Sequence, residues 1–129
     1  MIKLAKATSE ITITGPIADE GTFTSDLINV PRAMQYDVAV ALLMDSGTPT
    51  GDITLEIVSV NGANDYLPVD TNSPRIMTIP SSAITASTTI RYAFGVDRVA
   101  GILNMKIKLT NDSGISITSG SIYFNKFDY

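Results

Sequence analysis

Strict alternation of apolar and polar residues is the feature that most restricts what this chain can fold into. The segment "ILNMKIKLT" at residues 102–110 places Leu103, Met105, Ile107 and Leu109 on one side and Asn104, Lys106, Lys108 and Thr110 on the other. Successive side chains of a β-strand point to opposite faces, whereas a helix would scatter both sets around its axis. The segment therefore predicts a half-buried strand with one core-facing side and one basic side.

The same period of two recurs along the chain. Shared faces are predicted for Ile11 with Ile13 in "EITIT", for Ile53, Leu55 and Ile57 in "DITLEIV", and for Ile90, Tyr92 and Phe94 in "TIRYAF". Turn-rich pieces such as "GPIADEG", "VNGAND" and "NDSG" separate these segments at spacings of roughly 8–12 residues, as in sandwiches and barrels. Residues 1–129 are thus expected to form one all-β domain. We predict a single antiparallel β-sandwich, jelly-roll or Ig-like, with little or no helix and with Tyr92 in its core.

One stretch, "VPRAMQYDVAVALLMDSG", admits two interpretations. Pro31 and Gly47 stand where a helix would begin and end. The part "YDVAVALLM" alternates, however, and predicts a strand from about Tyr36, with an inner face of Val38, Val40, Leu42 and Met44. Its other side, formed by Ala39, Ala41 and Leu43, is also apolar, which indicates a central strand covered on both faces. The following "DSGTPTGD" predicts a turn that joins this strand to "DITLEIV" as a hairpin.

The C-terminal "SIYFNKF" predicts a last strand. Ile122 and Phe124 would face the core, and Tyr123, Asn125 and Phe127 would lie opposite. We expect this strand to pair with the strand at 102–110, with "NDSGISITSG" between them as a long hairpin loop or a small extra strand. The aromatic residues at this end are interpreted as structural rather than as a platform for a ligand.

Composition argues against most enzymes. The chain contains no Cys and no His, which removes disulfides, thiolate metal sites and the commonest general base. It has neither a Gly-x-Ser-x-Gly elbow nor a glycine-rich phosphate loop. Asp19 and Glu20 are adjacent acids, but they precede Gly21 in a turn and fit a solvated loop. We expect no catalytic residue and no required cofactor.

Calcium is the least implausible metal. Oxygen ligands cluster in "NGANDYLPVD", namely Asn61, Asn64, Asp65 and Asp70. The spacing is not that of an EF-hand, and turns need the same residue types, so no metal site is expected. The triplet at 111–113 fits a glycosylation sequon, but "NDSG" is first of all a turn.

The net charge of −4 is unevenly spread along the sequence. Residues 1–70 carry a net charge of −7 and residues 71–129 a net charge of +3. We expect strands from both halves to interleave and mix these charges. No run of Lys or Arg indicates a nucleic-acid groove, and no stretch approaches the ~20 apolar residues of a membrane span. The start, "MIKLAKATSEITIT", does not have the pattern of a secretory signal.

Three segments carry a resemblance to a known family. They are "TFTSDLINV", "YDVAVALLMDSGTPTGDITLEIVSVNGANDYLPV" and "AGILNMKIKLTNDSGISITSGSIYFNKF". Their order resembles that of small β-sandwich virion proteins of tailed bacteriophages. The chain departs from the family where Tyr66 stands in place of a frequent Trp, and where Lys106 and Lys108 stand in place of a frequent Arg. The resemblance implies a virion component without catalytic residues, either a capsid decoration protein or a head, neck or tail accessory.

Two surfaces are candidates for contact with partners. The apolar side formed by Ala39, Ala41 and Leu43 must be covered by this chain or by a neighbour. The basic side with Lys106 and Lys108 suits an acidic surface. The expected partners are other virion proteins, the major capsid protein first, and further copies of this chain, with no direct nucleic-acid or membrane contact. A carbohydrate-binding adsorption module remains an alternative, and an enzyme or enzyme subunit is the weakest one.

Overall fold

The computed structural model describes residues 5–29, 35–67, 76–97 and 104–128. Its strands are β1 (Ala5–Ile13), β2 (Gly21–Thr24), β3 (Ile28–Asn29), β4 (Gln35–Met44), β5 (Ile53–Asn61), β6 (Asn64–Tyr66), β7 (Ile76–Ile79), β8 (Thr89–Asp97), β9 (Asn104–Asn111) and β10 (Ile117–Asp128). In these ranges the helical content is one 3-10 turn at Ser81–Ala83. The predicted all-β class is confirmed, and the ambiguous stretch forms a strand, β4. None of the described residues belongs to a helix long and apolar enough to cross a membrane.

Two antiparallel sheets face each other across one core. The four-stranded sheet has the order β1-β10-β4-β8. The larger sheet has the order β2-β9-β5-β6, with β3 also paired to β9 and β7 also paired to β5. Every strand pairing in both sheets is antiparallel. The chain therefore forms a β-sandwich.

The core consists of the inner faces that the alternation predicts. Its most deeply buried side chains include Val38, Val40, Leu42 and Met44 of β4, Ile53, Leu55 and Ile57 of β5, Met105, Ile107 and Leu109 of β9, and Ile122 and Phe124 of β10. Burial of each large apolar side chain contributes about 1.5–3 kcal/mol. Ile13 is buried with them, whereas Ile11, on the same edge strand β1, is only half-buried. Leu103 and the side chain of Phe127 lie outside the described residues.

The predicted hairpin of β4 and β5 is wrong. The two strands lie in different sheets, and the segment 45–52 carries the chain from one sheet to the other. A two-residue turn would have forced a hairpin, whereas eight residues easily span the ~10 Å between packed sheets. The alternation of both strands is kept, because each now faces the same core from its own side.

The predicted pairing of the last strand is also wrong. β10 lies between β1 and β4, whereas β9 lies in the larger sheet. Residues 112–116 cross between the sheets, and β10 begins at Ile117, with a register irregularity between Ile117 and Ser119. The strand is thereby held on both sides, so its aromatic Phe124 lies at 0% exposure inside the sandwich. The structural interpretation of this end fits that position.

A buried polar network fastens the crossing between β9 and β10. Asn111 is fully buried, and its Nδ2 donates to the carbonyl oxygens of Ile17 (3.0 Å), Ala18 (3.2 Å) and Ile115 (2.9 Å). Its Oδ1 accepts from the Ser113 hydroxyl at 2.6 Å and from the Ser113 backbone N–H at 3.2 Å. A buried amide satisfied in this way stabilises one loop conformation and is closed to solvent. The sequon at 111–113 is therefore no accessible glycosylation site in the folded chain.

Close backbone approach in the same region requires glycine. A Cβ at Gly51 would lie 2.1 Å from the carbonyl oxygen of Asp112, and Gly114 has a φ of +87°. The backbone N–H of Gly114 donates to Asp19 Oδ1 at 2.9 Å. Three separate loops are thus locked together at this end of the sandwich.

Tyr92 is not a core residue, contrary to its alternation. Its neighbours on the strand, Ile90 and Phe94, are buried and half-buried, but Tyr92 is 38% exposed. Strand β8 is an edge strand, so Tyr92 lies at the margin of the core, and its hydroxyl donates to the carbonyl oxygen of Ala83 at 2.5 Å. A tyrosine suits this place because it packs its ring and satisfies its hydroxyl.

Candidate functional site

The outer face of the four-stranded sheet presents small apolar side chains at its centre. In the strand register, Ala39 lies between Tyr123 of β10 and Ala93 of β8, and Ala41 lies between Ser121 and Arg91. Methyl groups surrounded by longer side chains leave a shallow depression of about 370 Å³. We call it the alanine depression; its outward-facing lining residues are Ala39, Ala41, Arg91, Ala93 and Tyr123.

The alanine depression is open to solvent. Ala39, Ala41 and Tyr123 are half-buried, while Arg91 and Ala93 are exposed. Leu43 continues the same outer face of β4 and is 38% exposed. The expectation that β4 is covered on both faces is therefore wrong for the described part of the chain: β4 is central, but one face is open.

A polar rim borders the depression on the side of β1 and β10. Thr8 Oγ1 donates to Asn125 Oδ1 at 2.7 Å, and Asn125 Nδ2 donates to Asp37 Oδ1 at 2.5 Å. Farther along β1, Ser121 Oγ donates to Glu10 Oε1 at 3.3 Å. These bonds hold two carboxylates in place, while Arg91 adds a cation on the opposite side, on β8. The face thus combines an apolar floor with oriented hydrogen-bonding groups.

The lysines of β9 lie on the outer face of the larger sheet, as predicted, but beside carboxylates. Lys106 Nζ lies 3.4 Å from Asp65 Oδ1 on β6. Lys106 stands opposite Val58 of β5, and Asp65 stands on the far side of that strand, so the lysine side chain must cross β5. Val58 is only 2% exposed although it points away from the core, which is consistent with a cover by the aliphatic part of Lys106.

Lys108 has the same kind of neighbour. It stands directly opposite Glu56 in the register of β5 and β9, and both side chains are half-buried. Opposite charges at facing positions of a sheet attract each other. The two lysines therefore do not form an unbalanced basic surface, and the case for their contact with an acidic partner is weaker than the sequence alone indicated.

The oxygen-rich loop has no arrangement that indicates a calcium site. Asn61, Asn64 and Asp65 form an exposed hairpin of β5 and β6, Asp65 is paired with Lys106, and Asp70 lies outside the described residues. Across the described ranges, no group of three or more His, Cys, Asp or Glu residues is placed to hold a metal ion. Asp19, which the sequence analysis considered as one of two adjacent acids, accepts a hydrogen bond from the backbone N–H of Gly114.

Sequence reasoning found part of the candidate site and missed the rest. Ala39, Ala41 and Leu43 share one face as predicted, but Lys106 and Lys108 lie on the opposite sheet. Arg91, Ala93 and Tyr123 join the alanines only through the pairing of β4 with β8 and β10, which the sequence did not reveal. The sequence contained one signal for these three residues: alternation places each of them on the outward side of its own strand.

Comparisons with known proteins support the fold. The sequence matches no protein-family profile, and no curated protein resembles it in sequence.

Among solved structures, a xylan-binding module CBM15 has a TM-score of 0.55 at 12% identity, covering 91% of this chain and 76% of that one. The SPBc2 prophage-derived protein YomS has a TM-score of 0.53 at 10% identity, with coverages of 99% and 97%. A CBM35 from Cellvibrio japonicus Abf62 has a TM-score of 0.51 at 13% identity, with coverages of 90% and 92%. Identities of this size show a shared β-sandwich fold alone.

Proposed function

We propose that this chain is a non-enzymatic structural protein of a tailed-bacteriophage virion, a decoration protein that docks on assembled capsid subunits. The observation that carries the proposal is the alanine depression, an open and largely apolar face at the centre of the four-stranded sheet. The resemblance of the three sequence segments gives the virion context. The prophage-derived YomS has the same fold over nearly its whole length, which is compatible with that context.

The composition of this face suits protein docking. Buried tyrosine and arginine side chains provide much of the binding energy in protein interfaces, and Tyr123 and Arg91 flank the floor. Covering apolar surface favours association, and the part that exceeds the costs of lost motion and of desolvation appears as affinity. The polar rim is held by internal hydrogen bonds and loses little conformational freedom on binding. The major capsid protein is the proposed partner, with copies of this chain as neighbours on the particle.

The test is to add the purified protein to capsids that lack it and to measure saturable binding by co-sedimentation. Ala39→Glu places a charged side chain on the floor, and Thr54→Glu makes the same kind of change on the outer face of the larger sheet. We expect Ala39→Glu to bind at least about tenfold more weakly, the result of one unpaired buried charge, and Thr54→Glu to bind like the parent. Equal binding by both variants, or no binding by the parent, would contradict the proposal.

A carbohydrate-binding adsorption module is the second candidate. The observation that favours it is the half-buried Tyr123 beside a fixed carboxylate–amide pair, Asp37 and Asn125, because sugars need both an apolar ring face and oriented polar groups. On a glycan array, specific binding that Tyr123→Ala abolishes, together with no binding to capsids, would replace the docking proposal with this one.

A further inference from the structure

The two open sides of the sandwich differ. On the side of β7 and β8, the depression is the smaller one, about 240 Å³, and the Tyr92 hydroxyl at its border donates to the carbonyl oxygen of Ala83. On the side of β1, β2 and β3, a groove of about 570 Å³ lies between the two sheets. We call it the edge groove.

The backbone edges of strands line the edge groove. Its lining includes four consecutive residues of β1, Ser9 to Thr12, and four consecutive residues that end in β3, Asp26 to Asn29. Consecutive side chains of a strand point to opposite faces, so a run of four can line a groove only along the strand's edge. Within the described ranges β1 pairs with β10 alone, which leaves its other edge toward the groove.

The lining side chains of the groove include apolar residues, two of them half-buried, and exposed acids. Ile11 and Phe23 are half-buried, and Leu27 is 53% exposed. Glu10 and Asp26 are exposed carboxylates, and no Lys or Arg is among those lining residues that the structure describes. A strand edge that no described strand pairs with, beside exposed apolar side chains, is a template for an added strand.

A short local feature keeps this side open. Ser25 separates β2 from β3, and its hydroxyl accepts the backbone N–H of Ile107 at 2.9 Å, while its own N–H donates to the carbonyl oxygen of Ile107. The hydroxyl thereby takes the place of a backbone partner and lets residues 26 and 27 leave the sheet. Both residues are exposed at the rim.

We infer that the edge groove binds an extended peptide segment of a partner protein, in which basic residues alternate with apolar ones, as an added strand along β1. Apolar side chains of the segment would contact Ile11, Phe23 and Leu27, and its basic side chains would face Glu10 and Asp26. The four β1 residues of the groove span roughly 13 Å, the length of four strand residues. Charge decides between occupants: a second copy of this chain, with a net charge of −4, is repelled by an acidic groove.

The experiment uses the full chain and two blocked octapeptides, one with lysine alternating with valine and threonine, the other with glutamate in place of lysine. Amide chemical shifts follow each titration at low salt. We expect the lysine peptide to bind at least about tenfold more tightly and to shift residues 9–12 and 26–29. Asp26→Lys should weaken its binding about two- to fivefold, while Asp112→Lys, an exposed acid outside the groove, should change it less than about twofold.

A second pair of variants tests the apolar contact. Leu27→Ser removes an exposed leucine at the groove, and Leu67→Ser removes one that is equally exposed at 54% but does not line it. Loss of about fivefold in affinity is expected for Leu27→Ser alone. Equal binding of both peptides, shifts outside the groove, equal effects of the paired variants, or self-association at the groove without peptide would each overturn the inference. No capsid is needed, so this test can fail while docking through the alanine depression stands.

Discussion

The two sheets present outer faces of opposite character. The outer face of the four-stranded sheet has alanines at its centre and an open depression. The outer face of the larger sheet has lysines opposite a valine and a glutamate, with an ion pair across β5. Both faces belong to central strands whose buried residues recur with a period of two, so the period of the buried residues does not distinguish them. The length of the outward-facing side chains distinguishes the two faces.

A long side chain can reach a charge partner and cover neighbouring apolar surface, and a short side chain cannot. Lys106 can reach across a strand to a carboxylate and cover Val58 on the way. Ala39 and Ala41 reach no further than their immediate neighbours, so another molecule must cover their surface if it is to be covered at all. This difference supports the proposal that docking takes place on the four-stranded sheet, and it leaves the larger sheet with a self-contained outer face.

The largest expected effect is that of a change in the core shared by the two sheets, because unfolding removes both outer faces. Ile107→Asp places a carboxylate where the parent side chain is 1% exposed, at a cost of several kcal/mol, and should leave no folded protein. The neighbouring Lys108→Ser should remain folded, because residue 108 points outward. Circular dichroism and size-exclusion chromatography distinguish these outcomes. A parent-like cooperative melt for Ile107→Asp would refute the assignment of inner and outer faces.

The second largest effect concerns the crossing that holds the sheets together. Asn111→Ala removes one side-chain donor from the carbonyl oxygens of Ile17, Ala18 and Ile115 and the acceptor of the buried Ser113, and should lower the free energy of unfolding by about 3 kcal/mol. Asn64→Ala, in an exposed hairpin, is the matched control and should change it by less than about 0.5 kcal/mol. Chemical denaturation measures both. Similar losses would mean that the buried network adds nothing to stability.

The third effect is on the stability of Lys106 variants, for which the structure changes the expectation from sequence. Alternation places Lys106 outside and predicts that Lys106→Ser is nearly silent. Because its aliphatic stem lies across β5 near Val58, we now expect a loss of about 1 kcal/mol in unfolding free energy. Lys106→Met keeps most of the apolar cover and should lose less. If both variants were silent, Val58 would be covered by something else, and the contrast between the two faces would weaken.

The sequence was sufficient to predict which face of each strand is buried, but not which strands pair with each other. Met105, Ile107 and Phe124 lie inside as their alternation predicts, because the period of two is a local property of the backbone. The β4–β5 hairpin and the pairing of β10 with β9 were wrong because a connection of several residues can either turn back or cross to the other sheet. Local sequence does not distinguish these two routes.

The same limit explains the candidate site. Ala39, Ala41 and Leu43 come from one strand and were visible as one apolar face. Arg91 and Tyr123 come from strands that only the sheet order places beside them. The Lys106–Asp65 ion pair joins residues 41 positions apart and was equally hidden. Tyr92 shows the remaining difficulty: alternation predicts a core residue, but its place on an edge strand leaves it 38% exposed.

The smallest effect separates the two contributions of Lys106. Its side chain and that of Asp65 are 30% and 47% exposed, so their attraction should be weak and open to screening by salt. Raising NaCl from about 0.05 M to 1 M shortens the Debye length from more than 10 Å to about 3 Å. Salt also strengthens apolar burial, but equally in the parent and in Lys106→Met, so the difference between them isolates the ion pair. We expect the stability advantage of the parent over Lys106→Met to shrink by a few tenths of a kcal/mol at high salt. An advantage that is independent of salt would show that Lys106 stabilises the larger sheet by packing alone, and that its outer face needs no charge pairing to remain self-contained.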